Sequence, residues 1–430
     1  MTSVARDRWW HWWGGAIVAA LVIPGPVVGQ TSCCLAEGLA IAEQYRVAGL
    51  EDRRFDHEIY WAAIAPAQNS GGVRVDQVGE SIEGRAINAV SYGAGPTSVL
   101  LWSQMHGNES TASMALADLI NFFAMADSSA LASLLASRLT VTMIPMLNPD
   151  GAERFIRENA IGVDINRDAR MLGTPEGQLL KRVRDSLQAD FGFNLHDQGS
   201  RTAGVDGLLV AIALLAPAGD EERSWGPVRL RARKVAAVIA GALESEIPGR
   251  MARYDDAYAT RAFGDRMQQW GTSTVLIESG ALPDDPQKQR LRAINVAALL
   301  SALYAIAQDS LDEAADLDYE RLPMNSGVAN DLLLLGGKVV FGSREPVRAD
   351  IAIVFDDAVA ETGPRYAEVG DLADVIAMDT VDVSGLYIHP DLKEAYLRRG
   401  AAVVLRVLRE ADFESEEVWR IGERVEPAAE

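Results

Sequence analysis

Cysteine is nearly missing from this chain of 430 residues: there are two, and they are the neighbours Cys33 and Cys34. No disulfide can staple a domain from such a pair, and a bond between adjacent residues would be strained. Histidine is scarce too. Any imidazole chemistry must draw on His11, His57, His106, His196 and His389. Basic clusters are absent, and 40 Lys and Arg stand against 61 Asp and Glu, a net charge of −21. That balance argues against binding nucleic acid, which is driven by clustered cations on phosphates. Disorder is excluded by a composition that is 48% hydrophobic and 23% charged, and the length suffices for more than one domain and a large core. Beyond the N-terminal stretch, no segment reads as long and apolar enough to span a bilayer.

The first 29 residues stand apart. Arg6 and Arg8 precede a tryptophan cluster, Trp9, Trp10, Trp12 and Trp13, and then an apolar run that Pro24 interrupts and Gly29 ends. This is the pattern of an export signal, with secretion or release to the periplasm as its consequence, and the run is too short for a membrane anchor. Lipid modification of Cys33 lacks the apolar approach such a site has. From 30 to 70 the chain reads as a helical segment, with a mildly amphipathic pattern from Leu35 to Ala67 that a Gln-Asn-Ser-Gly-Gly stretch breaks.

Residues 71–310 read as one α/β domain. Two short edge strands, Val73 to Val78 and Arg85 to Tyr92, come first. Apolar strands then alternate with helices: Ser98 to Ser103, Leu139 to Leu147, Gly192 to Leu195, Leu208 to Leu215 and Ser273 to Ile277 as strands, Ser110 to Met125, Glu176 to Leu187, Pro227 to Ile247 and Pro286 to Ala307 as helices. Continuous apolar strands of this kind imply a mixed, mostly parallel sheet with helices on both faces. Ligands bind such sheets beyond the carboxyl ends of strands. An acidic stretch, 311–324, reads as a linker, and 325–430 as a small β-rich domain with few residue types suited to catalysis. Its segment Asp331 to Asp356 resembles the small β-domain that accompanies amidohydrolase barrels, but the metal-binding sequences of the barrel are absent.

Two of the five histidines end apolar strands. His106 follows Ser98-Val-Leu-Leu-Trp-Ser-Gln-Met, with Glu109 three positions on at the start of a helix, so both side chains can face one point. His196 ends Phe191-Gly-Phe-Asn-Leu. Two imidazoles and one carboxylate form the ligand set of a catalytic zinc, which keeps its fourth position for water. Alone, His-x-x-Glu equally describes a helix cap beside a stray histidine.

It does not stand alone. Gly79-Glu-Ser-Ile-Glu-Gly-Arg85, His106-Gly-Asn-Glu109, Asn148-Pro-Asp-Gly151, the segment from Gly162 to Arg167, Leu195-His196 and Ile277-Glu278 together resemble the zinc carboxypeptidase family of metallopeptidases, in the order of that family, over about residues 75 to 305. The resemblance implies one zinc per chain on His106, Glu109 and His196. It implies Glu278 as the general base, Arg157 as the oxyanion-stabilising cation with Arg154 as a substitute, and Asn166 with Arg167 as the grip on the substrate's terminal carboxylate. The substrate-side tyrosine falls on Tyr254 or Tyr258, with Tyr258 marginally nearer the family offset. The pocket for the last side chain falls on Ala262 to Asp265, where Phe263 and Asp265 point to opposite preferences. Asp197 is placed to orient a ligand from behind.

The activity implied is removal of a C-terminal residue from a peptide with a free carboxylate. Cleavage of D-configured or isopeptide bonds in cell-wall peptides would use the same groups. Deacylation of N-acyl amino acids, as in the aspartoacylase-like branch, shares His-x-x-Glu and the later histidine but not the Asn-Pro-Asp-Gly and Asn-Arg elements. A peptide-binding pseudoenzyme would have no need of a base beside an open metal site.

Overall fold

A computed structural model of the chain describes residues 28–126, 128–204, 207–313, 316–356, 361–391 and 397–421. The stretch expected to be an export signal lies outside the described residues as far as residue 27.

Eight strands form one sheet in the order Arg74–Glu80, Ala86–Tyr92, Leu139–Ile144, Thr97–Trp102, Phe191–Asp197, Ser273–Ser279, Ile212–Leu215, Met251–Arg253. The four central strands run parallel to one another, and the antiparallel pairings lie toward the edges. The central strands are buried along most of their length, which explains why they read as continuous apolar runs rather than as alternating ones. One face is covered by the helices Val28–Gln44, Thr111–Met125, Pro227–Leu243 and Gln289–Gln308, the other by Pro175–Leu187 and Phe263–Gln269, with a buried apolar core on each side. The expected α/β architecture is therefore present.

Three local expectations need correction. The helical pattern from Leu35 to Ala67 is divided into Val28–Gln44, His57–Ala63 and Ala65–Asn69. The intervening residues are held by Arg292, which is buried and donates to the carbonyls of Val47 and Leu50 at 2.9 Å while its fork grips buried Asp118 at 2.5 and 2.7 Å. Such a long-range clamp has no local sequence signature. Second, Gln289–Gln308 is long and apolar enough to cross a membrane, contrary to the sequence reading, but most of it is buried against the other helices and the sheet, as a core helix is. Third, the acidic stretch read as a linker carries the short helices Leu311–Glu313 and Asp316–Glu320, and Tyr319 and Leu322 are buried against the main core.

The C-terminal region forms two further sheets, one of four strands (Arg365–Gly370, Asp350–Val354, Asn330–Leu335, Ala377–Asp382) and one of five (Val347–Arg348, Lys338–Val339, Tyr387–Pro390, Leu405–Leu408, Glu417–Ile421). Leu332, Leu334, Ile351 and Ile353 of the first pack on Val339, Ile388, Leu405 and Val407 of the second, giving a β-sandwich with its own core.

Candidate active site

The chain turns that recognise one another set the site. Asn148 caps the helix Pro149–Arg154, accepting from Gly151 N at 2.9 Å, while its amide donates to the carbonyls of Met105 at 3.3 Å and Glu158 at 3.1 Å. One side chain thus joins the loop bearing His106 to the loop bearing Arg157. Gly107 lies so close to this helix that a Cβ there would stand 1.9 Å from the carbonyl carbon of Gly151. Buried Asp150 accepts from Ser81 Oγ at 2.8 Å, Arg85 Nη1 at 2.7 Å and Glu83 N at 3.0 Å, fixing the Gly79 to Arg85 turn. Three of the six sequence stretches, with the loop that carries Arg157, are therefore parts of one scaffold.

On it, His106, Glu109 and His196 converge, all buried, with one candidate ligand atom each within 4.8 Å of the others. The two Nδ1 atoms are 3.1 Å apart, and they lie 2.8 and 2.7 Å from the two carboxylate oxygens of Glu109. Tetrahedral zinc with bonds of roughly 2.0–2.1 Å places its ligand atoms about 3.3 Å apart, so the donor set fits that ion in type and spacing. The outer nitrogen of His106 reaches Asp164 Oδ1 at 3.0 Å, the carboxylate–imidazole contact that orients a metal-binding histidine. His196 Nε2, buried, has no hydrogen-bond partner.

Burial opposes a positive charge on His106, but Glu109 and the bond to Asp164 outweigh it and raise its pKa to about 9. For His196 burial wins, and its pKa is lowered. Burial also works against ionised Glu109 and Asp164, yet the adjacent imidazoles hold both well below the usual carboxylate range, with Arg157 assisting at Asp164.

Glu278 sits on Ser273–Ser279 in direct parallel register with His196, which places both on one face of the sheet at neighbouring strand ends. Burial, then the charge of Glu109, pushes its pKa well above the usual carboxylate range. Arg157 donates from Nε and Nη2 to Asp164 Oδ2 at 3.1 and 3.0 Å and from Nη1 to Glu109 at 3.2 Å, so it is locked against the ligand cluster. Arg154, the substitute, is not: it pairs with Glu83 at the surface.

These groups open into one cavity of about 1100 Å³ that also receives Asn166, Arg167, Asp265 and Tyr254. Asn166 accepts from Phe263 N at 2.9 Å, tying the arginine turn to the loop before the helix Phe263–Gln269. Arg167 donates to the carbonyl of Asn166, while Asp164 and Asp168 are engaged elsewhere, Asp168 by Gly173 and Thr174. Tyr254 lines the cavity and feels the charge of Glu278, whereas Tyr258 lines a smaller neighbouring pocket. Of the two side chains expected to set specificity, Phe263 is fully buried in the core and only Asp265 faces the cavity. Asp197 reaches a ligand through its backbone rather than its side chain: its N–H donates to Glu109 Oε2 at 3.2 Å, while its carboxylate accepts from Thr111 Oγ1 at 2.6 Å and Lys288 Nζ at 3.1 Å.

The family model for zinc carboxypeptidases matches residues 60–198, which include all three candidate ligands. Over residues 60–198 the chain is therefore similar to the zinc carboxypeptidase family. Glu278 lies outside the matched residues. An uncharacterized protein of Zymomonas mobilis is 26% identical over 137 residues, 31% of this chain and 36% of that protein. A D-aminoacylase of Alcaligenes xylosoxydans xylosoxydans is 40% identical over 67 residues, 15% of this chain and 12% of that protein. The chain thus spans little more than a third of the first curated relative and about an eighth of the second. A solved metallo-carboxypeptidase from Burkholderia cenocepacia superposes with a TM-score of 0.48 at 20% identity, over 59% of this chain and 70% of that one.

Sequence reasoning missed two groups. Asp164 is one, although a histidine ligand ordinarily needs an acceptor behind it, and Glu158 and Asp164 are the two carboxylates between Arg157 and Asn166. Arg53 also lines the cavity, carried there by the loop that breaks the N-terminal helical pattern.

Proposed function

We propose that this chain is an exported zinc carboxypeptidase that hydrolyses the last peptide bond of a peptide with a free C-terminal carboxylate. The observation that carries the reading is the convergence of His106, Glu109 and His196 with Glu278 in register beside them, in one cavity with Arg157 and Arg167. A zinc ion held by the three ligands supplies Lewis acidity and makes water nucleophilic near neutral pH. Glu278 accepts a proton from the attacking water as its oxygen adds to the carbonyl carbon, then delivers it to the amine as the C–N bond breaks. Arg157, fixed by Asp164, faces the developing oxyanion. Asn166 and Arg167 hold the substrate's terminal carboxylate, for which a guanidinium offers a planar fork. Tyr254 contacts the substrate from the opposite loop. Asp265 meets the last side chain and favours Lys or Arg there. Export rests on the N-terminal charge and apolar pattern, and N-terminal sequencing of the extracytoplasmic protein tests it.

Incubating the zinc-loaded chain with a panel of L- and D-terminated peptides and weighing the products tests the activity. Loss of a single L-residue, absent in Glu278→Gln, supports the reading. Release of D-residues alone moves the site to cell-wall peptides, and no cleavage of any peptide overturns it.

A further inference from the structure

The sandwich at the C-terminus is docked on the loop that leaves the third ligand. Asn325–Ser326 pairs antiparallel with Thr202–Ala203, Ala329 N donates to Ser200 O at 3.0 Å, and Ser200 Oγ reaches Asp331 at 3.3 Å. Arg253 N donates to Pro323 O at 2.7 Å on the far side of the same junction. Asn325 Nδ2 donates to Gln198 Oε1 at 2.6 Å, two residues beyond His196. These contacts leave the sandwich as part of the cavity wall: Asp331, Phe355, Asp356, Glu361, Met378 and Asp379 line the same space as the ligand cluster. Among the described residues, every charged side chain it contributes there is a carboxylate. Asp356 pairs with Arg365, whereas Glu361 and Asp379 are exposed and make no ion pair among the described residues.

A second feature points to a ligand. Gln198, 8% exposed, has its oxygen held by Asn325, but its amide nitrogen is buried in the cavity wall with no partner. A buried donor left in this way is costly, and a peptide carbonyl would satisfy it. The smaller pocket beside Arg167 is lined by Glu221, Arg223, Tyr258 and their neighbours and by no residue of the sandwich. Arg167 borders both spaces, the smaller pocket on one side and the cavity walled by the sandwich on the other.

We propose that the C-terminal β-sandwich forms the second wall of the substrate cleft and binds a positively charged group on the peptide amino-terminal to the scissile bond, with Gln198 donating to a carbonyl of that segment. The proposal rests on the carboxypeptidase reading for the direction in which the peptide lies. A lysine side chain or a free α-amine meets Glu361 and Asp379 there.

Two peptides that share one C-terminal residue and differ only in carrying Lys or Ala upstream test it. Their dissociation constants are measured by calorimetry on the full zinc-loaded chain in the Glu278→Gln background, which removes turnover. The Lys peptide binds about three- to tenfold more tightly at low salt, as two partly exposed charge pairs allow, and the advantage shrinks as salt rises. In Glu361→Gln/Asp379→Asn the ratio falls toward one, and Gln198→Leu weakens both peptides. Equal binding of the two peptides, or a ratio that the double variant leaves unchanged, overturns the proposal. Should the Lys preference persist while the wild-type chain cleaves neither peptide, the wall stands and the carboxypeptidase reading falls.

Discussion

Asp164 offers the sharpest test of how the site is assembled. Its two oxygens are divided: Oδ1 accepts from His106 Nε2 at 3.0 Å, and Oδ2 accepts both donors of the Arg157 fork at 3.1 and 3.0 Å. Asp164→Ala removes the orienting acceptor and leaves the imidazole of His106 free to turn. Losing such a partner costs about 10–100-fold in metal affinity, or roughly 1.4–2.7 kcal/mol. Asp164→Asn should fall at the mild end for zinc, since an amide oxygen still accepts from His106. It should harm turnover more than metal binding, because the amide group then presents its hydrogens to a guanidinium that has none to accept them. Competition with a fluorescent chelator at fixed pH measures the affinity. Asp168→Asn is the control, as its carboxylate serves only Gly173 and Thr174 in a neighbouring turn. Zinc affinity of Asp164→Ala within twofold of wild type, or an equal loss in the control, would refute the assigned role.

Further outcomes follow from the same geometry. Glu278→Gln should bind zinc stoichiometrically by metal analysis and lose about 10²–10⁴-fold in kcat, since the amide cannot take the proton from water. Arg292→Met should lower stability by about 3–5 kcal/mol in denaturant titration, because it strands the buried carboxylate of Asp118 and two carbonyls. Selection of the last residue should depend on pH. Burial, only partly offset by the Ala259 amide, raises Asp265 to about 6, so it is neutral below that pH and charged above. The kcat/KM ratio of an Arg-terminated to a Leu-terminated peptide should therefore climb as pH rises through about 6 and stay flat in Asp265→Asn.

Much of this was legible in the sequence because the relevant signals are local. A buried parallel strand announces itself as an unbroken apolar run, and His106, His196 and Glu278 each stand at the end of one. The glycines and the Asn-Pro-Asp-Gly turn are local as well, and the close approach of Gly107 to Gly151 explains why small residues stand there. What stayed hidden depends on distant contacts. Nothing near residues 45–56 foretells that Arg292, more than 230 residues away, will hold them out of a helix. Tyr254 and Tyr258 lie in a loop with no periodicity, so only its path shows which faces the cavity. The docking of the sandwich rests on two-residue strand pairs and single side-chain bonds, too short to leave a pattern.

Cleavage of one peptide in two forms, with its C-terminus free or amidated, tests the central claim most directly, followed by mass spectrometry over time with the zinc-loaded wild-type chain and Arg167→Ala. If Arg167 and Asn166 anchor a terminal carboxylate, the free peptide loses one residue, the amidated form is cleaved far more slowly, and Arg167→Ala narrows the difference. Equal cleavage of both forms by the wild-type chain would contradict the account.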